Sequence, residues 1–286
     1  MRSFLPDEGQ ITWRRDLVLE YVAQARPSMS RHLLTFAVVA GAGCGSGASG
    51  PSQVDAAVLD GDPDARLPAG TYALDFSTAT IENPLSAGGV WTNNTQGTGG
   101  NIAPGNMTSM RVDVASDGVT RIAFDTHGGV AYDDSFAFVP GFPGDQYVEA
   151  VIYKEPGYNA NAAGANHELE LILGCSSAAG SRIWNEFLFN SGGGVDIVYL
   201  DGGPSDFTSI GNVGGASVIP KDGDVVRATK VGNALSLYVN GVLVTGYDGA
   251  DSAKVARGSG IGIAGFIRPG ATHNKYGFRR IVMGRL

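Results

Sequence analysis

From residue 72 to the C-terminus the chain breaks into short apolar and β-branched runs separated by Gly, Asn and Asp, and helix-favouring runs of Glu, Lys, Leu and Ala are scarce. Runs of this length and composition, bounded by turn formers, read as strands. The candidates are residues 72–76, 109–114, 120–125, 146–153, 168–173, 183–189, 195–200, 225–231, 234–239, 242–245, 259–264 and 278–283. Strands with no helices to cover them must bury their apolar faces on one another, so the expected fold is all-β, a two-sheet antiparallel sandwich. The sharpest local signal is Leu235-Ser236-Leu237-Tyr238-Val239-Asn240-Gly241-Val242-Leu243-Val244. Asn-Gly between two β-rich runs supplies both positive φ angles of a type I′ turn, which makes this a tight hairpin. Gly232-Asn233 is expected to turn the chain in the same way just before it.

Composition agrees with that reading. Among 286 residues there are 43 glycines, and only 17% are charged. All-β domains of more than about 200 residues commonly form single units, so one large domain with an N-terminal extension is expected. The formal charge is −8, and beyond residue 43 there remain 15 basic against 24 acidic groups, a formal −9. No cluster of five or more Lys and Arg occurs. An acidic surface without a basic patch excludes nucleic acid and disfavours polyanions as partners, leaving a neutral or locally contacted ligand. The two cysteines, Cys44 and Cys175, are too few for a disulfide framework.

Cys44 has another explanation. From Met29 the chain reads Met-Ser-Arg-His, then an apolar stretch from Leu33 to Ala40, then Gly41-Ala42-Gly43-Cys44, then six Gly, Ser and Ala residues. A short positive region, an apolar core and a small-residue cleavage site are the parts of a secretory signal, and the stretch is shorter than the ~20 residues that span a bilayer. Small residues running into Cys before a Gly/Ser tether resemble the lipobox of bacterial lipoproteins, with Gly41 where Leu is usual. The resemblance implies that Cys44 is lipidated and becomes the first residue of the mature chain. Residues 1–28 precede an intact signal and are expected to be a mis-assigned upstream extension; 29–43 are the signal peptide. Residues 44–70, rich in Asp, Ala, Gly and Pro, form a disordered tether, and 71–286 form the sandwich domain.

Within that domain, Gly223-Asp224-Val225-Val226-Arg227-Ala228, the hairpin at 235–244, Gly260-Ile261-Gly262-Ile263-Ala264 and Phe278-Arg279-Arg280-Ile281-Val282 follow one another. This order resembles the C-terminal half of concanavalin A-like lectin/glucanase domains, including laminin G-like modules. The resemblance is sharp over about the last 65 residues and architectural over the preceding 150. It implies a jelly-roll sandwich in which one concave sheet carries a carbohydrate site.

The most informative polar stretch is His167-Glu168-Leu169-Glu170-Leu171-Ile172-Leu173. Side chains alternate along a strand, so Glu168 and Glu170 share one face with Ile172 while Leu169, Leu171 and Leu173 point into the core. The two carboxylates then stand roughly 6.5 Å apart, from a rise of about 3.3 Å per residue. In the next strand, Ile183, Phe187 and Phe189 face the core with Asn185 as the exception, leaving Arg182, Trp184 and Glu186 beside Glu168 and Glu170 if the strands pair. Trp among carboxylates and an Arg suits a sugar, whose C–H face stacks on indole while its hydroxyls meet charged groups. Tyr147, Glu149 and Tyr153 are expected to extend this surface. The competing reading is that the three Glu decorate a solvated sheet face.

The laminarinase-type glycoside hydrolases of the resembled superfamily carry Glu-x-Asp-x-x-Glu on such a strand. Here Glu168 and Glu170 match the first two positions, but Leu173 stands at the third, where the general acid belongs. Glycoside hydrolysis ordinarily needs an acid as well as a nucleophile or base, so Glu186 would have to substitute from the neighbouring strand. A polysaccharide lyase would draw its base and carboxylate-neutralising group from His127, His167, Tyr153 and Arg182. No cofactor is expected. Asp133-Asp134, Asp201 with Asp206, and Asp248 with Asp251 are acidic loop groups whose oxygens are of the kind that holds structural Ca²⁺, though turn-forming Asp is the commoner reason for such placements. The Gly-rich segments lack the strand-to-helix setting of a phosphate loop, and Cys175 reads as a buried apolar residue.

The function expected from these residues is an exported lipoprotein, at the cell surface or in the periplasm, that binds glycan through Trp184, Arg182, Glu168, Glu170, Glu186 and Tyr153 without catalysis. The alternatives are a glycoside hydrolase or polysaccharide lyase using Glu168, Glu170 and Glu186, and a protein-binding adhesion module. The anchor makes its own prediction. Labelled palmitate is expected in the wild-type chain and not in Cys44→Ser, and an unlabelled wild-type protein would rule the anchor out.

Overall fold

The structure, a computed structural model, describes residues 69–93, 110–125, 134–158, 167–176, 183–190, 193–201, 207–267 and 272–286. The expected signal, the tether as far as residue 68, Cys44, His127, Asp133, Arg182 and Asp206 lie outside these residues. Among the described residues fifteen strands make two antiparallel sheets. The first eight are β1 Thr71–Asp75, β2 Thr92–Asn93, β3 Met110–Val114, β4 Arg121–Asp125, β5 Asp134–Val139, β6 Gln146–Lys154, β7 His167–Cys175 and β8 Ile183–Asn190. The remaining seven are β9 Gly194–Asp201, β10 Phe207–Gly214, β11 Val225–Val231, β12 Ala234–Val239, β13 Val242–Tyr247, β14 Gly260–Ile267 and β15 Tyr276–Arg285. Among the described residues helix is confined to three single 3₁₀ turns, and none is long and apolar enough to cross a membrane.

Sheet A runs β13-β12-β11-β6-β15-β4-β3, with β1 also pairing β15, and sheet B runs β10-β9-β8-β7-β14-β5-β2. The chain changes sheet between β1 and β2, β2 and β3, β4 and β5, β5 and β6, β6 and β7, β10 and β11, β13 and β14, and β14 and β15. This nesting of antiparallel strands is a jelly roll, as expected. All twelve expected strands are present; β2, β5 and β10 were not foreseen. The β11–β12 turn passes through Gly232 at φ 58°, and the β12–β13 turn through Asn240 and Gly241 at φ 50° and 76°, the paired positive angles of a type I′ turn.

Alternation fills the core between the sheets. Sheet B contributes Leu169, Leu171 and Leu173 of β7, Phe187 and Phe189 of β8, Val195 and Ile197 of β9, and Ile261 and Ile263 of β14. Sheet A meets them with Val148, Ala150 and Ile152, Val226 and Ala228, Leu235 and Leu237, and Phe278, Ile281 and Met283. Each large side chain removed from water in this way stabilises the fold by roughly 1.5–3 kcal/mol.

The exceptional Asn185 has a structural role. It is buried on the core side of β8, where its Nδ2 donates to Lys254 O at 2.9 Å and its Oδ1 accepts from Ala256 N–H at 2.8 Å. The same crossover from β13 to β14 is held from sheet A. Lys230 Nζ donates to Ala256 O at 3.2 Å, and Gln146 Nε2 donates to Gly258 O at 3.1 Å while its Oε1 accepts from Gly174 N–H at 2.8 Å. Burial, with Arg257 nearby, lowers Lys230 to about 8, against an opposing pull from Asp145. Gly258 passes so close to β7 that a Cβ would lie 2.0 Å from Cys175 O, so only glycine fits there.

His167 begins β7 on the core side with Leu169. Its ring meets Tyr276 edge-on at 5.3 Å and its Nδ1 lies 3.1 Å from Tyr158 Oη. Complete burial, with His273 adding to it, lowers its pKa to about 3, so the imidazole is neutral.

Two outcomes follow from these buried polar groups. Asn185→Leu orphans a buried carbonyl and a buried N–H, at about 1–3 kcal/mol each, and should lower the urea midpoint accordingly; an unchanged midpoint would show that the crossover holds without the tie. The unfolded chain protonates His167 near 6.5, whereas the folded chain keeps it neutral down to about 3. Its contribution is therefore intact above pH 6.5 and is lost on acidification toward 3, at about 1.4 kcal/mol per pH unit. Stability measured from pH 7 to 4 should fall more steeply in wild type than in His167→Gln, and equal slopes would contradict the assignment.

Candidate functional site

β7 and β8 pair antiparallel, which brings the expected acidic residues onto one surface. Glu168 lies opposite Asn190, Glu170 opposite Leu188, and Ile172 opposite Glu186. The neighbouring strands extend the same face. On β14, Phe266, Ala264 and Gly262 lie opposite Glu168, Glu170 and Ile172, and beyond them on β5 stand Phe136 and Phe138. On the other side, Leu200, Val198 and Asp196 of β9 lie opposite Trp184, Glu186 and Leu188. The outer face of sheet B is therefore a line of carboxylates on an apolar floor of Phe136, Phe138, Ile172, Trp184, Val198, Leu200 and Ala264.

This is not a solvated face. Glu168 is 7% and Glu170 3% exposed, while Glu186 is half-buried. Charged residues are seldom buried to this extent unless they are paired. Asn190 Nδ2 donates to Glu168 Oε1 at 2.5 Å, and none of the three glutamates is without a partner. Trp184 is 3% exposed, its ring 4.7 Å from that of Phe136, and its indole N–H donates to Glu186 Oε2 at 3.3 Å. The expectation of Trp184 as an open stacking platform is thereby revised: the indole belongs to the floor and orients Glu186.

The third acidic position also reads differently in three dimensions. β7 keeps regular alternation through Leu173, which faces the core, so the residue that follows Glu170 on the outer face is Ile172. No carboxylate from β7 stands there. Glu186 is the direct cross-strand neighbour of Ile172 and lies diagonal to Glu170, about 7–8 Å away as such neighbours are.

Tyr147, Glu149 and Tyr153 do not extend this surface. They sit on β6, which hydrogen-bonds to β11 and β15 in sheet A, because the chain crosses between sheets before β7. Tyr153 is buried on that other sheet with Ala115, Ile122 and Phe124, its hydroxyl 3.1 Å from Ser116 Oγ and its ring under Arg279. Glu149 lies 3.6 Å from Arg227, which also covers the Tyr147 ring. Burial raises the Glu149 pKa, and Arg227 and Arg280 oppose that rise. His167, on the core side of β7, is likewise separated from the carboxylates, so Tyr153 and His167 do not join them as a lyase set.

Asp196 was missed. It stands half-buried on β9 beside Leu188, accepts from Ser209 Oγ at 2.7 Å, and has its pKa raised by burial. The alternation Val195-Asp196-Ile197 was the available signal. Among the described residues no group of three metal-ligating side chains occurs. Asp248 and Asp251 accept the backbone N–H groups of Ala250 and Ala253, the work of turn-forming residues, and Asp134 opens strand β5. Cys175 is buried, and that burial pushes its thiol up to about 12.

No protein-family model matches the sequence, and no curated protein matches it. Solved structures with a similar arrangement of strands exist. A glycoside hydrolase family 16 endo-glucanase from Bacteroides ovatus is 11% identical, over 74% of this chain and 99% of that one, with a TM-score of 0.48. A β-glucanase from Bacillus licheniformis is 14% identical, over 77% and 100%, with a TM-score of 0.47. The carbohydrate-binding module CBM66 from Bacillus subtilis is 15% identical, over 63% and 92%, with a TM-score of 0.38.

Proposed function

We propose that this chain is an exported lipoprotein, anchored through Cys44, whose sandwich domain binds a largely uncharged glycan on the outer face of sheet B without cleaving it. The half-buried Glu186 and Asp196, with Glu168 and Glu170 deeper beside them, accept hydrogen bonds from sugar hydroxyls, and the buried Trp184 and Phe136 hold Glu186 in place from below. The observation that carries the non-catalytic part is Ile172: the outward position following Glu170 holds an aliphatic side chain, and hydrolysis needs a proton donor there. One feature favours a second reading, glycoside hydrolysis. Glu186 stands across from Ile172, with an N–H donor from Trp184 fixing one of its oxygens.

Retention on a polysaccharide panel, paired with a reducing-sugar assay on every hit, separates the two. For a binder, Trp184→Phe should weaken retention by releasing Glu186, Glu170→Gln should weaken it modestly, and no reducing ends should appear with any protein. For an enzyme, Glu170→Gln or Glu186→Gln should leave retention nearly intact while turnover falls by orders of magnitude, because a lost nucleophile or proton donor acts on the transition state. Wild-type turnover that collapses in either variant would overturn the binding reading.

A further inference from the structure

A cleft of about 300 Å³ lies between the end of β6 with its following turn and the loop before β11, lined by Lys154, Glu155, Tyr158, Lys221 and Asp222 together with Pro156 and Gly157. Its volume is at the lower end of the range for small-molecule sites. Its charges are paired unevenly. Asp222 accepts from Arg279 Nη2 at 2.8 and 2.9 Å, and from the Lys154 backbone N–H at 2.9 Å. Glu155 forms an ion pair with Lys275 at 2.7 Å. Both acids of the cleft wall are thus neutralised by cations, Arg279 and Lys275, that do not line it.

The two lysines that do line the cleft have no carboxylate partner among the described residues. Lys221 is exposed, which is an ordinary setting for a free ammonium. Lys154 is different. It is half-buried, its Nζ rests 5.7 Å from the Tyr276 ring centroid, and burial lowers its pKa. A third acid, Asp224, stands at the cleft's edge, where it accepts from the Lys221 backbone N–H at 2.7 Å and from Asn240 Nδ2 at 2.9 Å. The cations Lys154, Lys221, Arg279 and Lys275 thus face the carboxylates Glu155, Asp222 and Asp224, a surplus of one positive charge that rests on the half-buried Lys154 ammonium over its aromatic face, in a chain of net charge −8. The Tyr158 hydroxyl, 3.1 Å from His167 Nδ1, and the Tyr158 ring under Lys275 fix the cleft's inner wall.

We infer that this cleft binds a sugar-sized ligand bearing one oxyanion, a carboxylate or a sulfate, with Lys154 and Lys221 as the charged contacts. It lies apart from the outer face of sheet B and does not depend on the glycan reading of that face. Calorimetric titration of the full chain with galacturonate, galactose 6-sulfate, galactose and inorganic sulfate tests it, since soluble monosaccharides report on the cleft without polysaccharide retention. Galacturonate or galactose 6-sulfate should bind, and the tighter of the two identifies the oxyanion. Galactose should not bind measurably, and affinity for the charged sugar should drop as salt rises from 50 to about 500 mM. Lys154→Gln and Lys221→Gln should each weaken the charged sugar by about tenfold or more, as expected when a charge-assisted contact is lost. Lys221 is exposed, so its variant keeps the test valid if Lys154→Gln fails to fold. Equal binding of galactose, inorganic sulfate binding as tightly as either charged sugar, or unchanged affinity in Lys221→Gln would overturn the proposal.

Discussion

The pairing of β7 with β8 on one side and β14 on the other is the constraint on which both the core and the candidate site depend. β7 supplies Leu169, Leu171 and Leu173 to the interior and Glu168 and Glu170 to the outer face, in a single regular run. A slip of one residue would exchange these sets and drive two carboxylates between the sheets, where an unpaired charge is prohibitively costly. Because β7 is an inner strand, ladders on both flanks hold its register. The carboxylates are therefore as well fixed as the core itself, and they cannot shift without unpacking it.

A second constraint acts where the chain leaves sheet A for sheet B between β13 and β14. Asn185, Lys230 and Gln146 are buried polar residues drawn from both sheets, and each bonds to the backbone of this crossover or of the adjoining end of β7, Gln146 donating also to Phe142 O before β6. Apolar burial is non-directional, so it fixes the position of one sheet over the other less sharply than hydrogen bonds do. Directional bonds to a fixed loop supply that sharpness. They also keep β14 against β7, which places Ala264 and Phe266 beside Glu170 and Glu168.

The sequence was most informative where local chemistry decides structure. Asn240-Gly241 gave the hairpin because only residues tolerant of positive φ make that turn, and the alternation in 168–173 assigned each side chain of β7 to its face. The strands it concealed have little such signal. β10 is an edge strand with a bulge between Ser209 and Gly211 and few apolar residues, and β5 presents Phe136 outward and Ala137 inward, so both faces are apolar and no polar alternation marks it. Nor could local pattern say to which sheet a strand belongs. Tyr153 and Glu149 precede β7 closely in sequence but lie on the other sheet, because the chain crosses from sheet A to sheet B between β6 and β7. The burial of Trp184 was equally hidden, since it depends on Phe136, a residue 48 positions earlier that only the β5–β14–β7 pairing brings near.

The electrostatics of the two proposed contact regions bear on what a single ligand would have to be in order to meet both. The outer face of sheet B presents Glu168, Glu170, Glu186 and Asp196, which favour hydroxyl donors and repel an anion. The cleft at Lys154 and Lys221 favours an anion, and its own acids are already matched by Arg279 and Lys275. A densely charged polyanion would satisfy the cleft but be repelled by the face and by the net charge of −8. A wholly neutral polymer would suit the face and leave the half-buried Lys154 ammonium uncompensated. Were both proposals to hold for one ligand, that ligand would have to be mainly neutral and carry isolated acidic groups, its uncharged part meeting the acidic face and an oxyanion meeting the lysines.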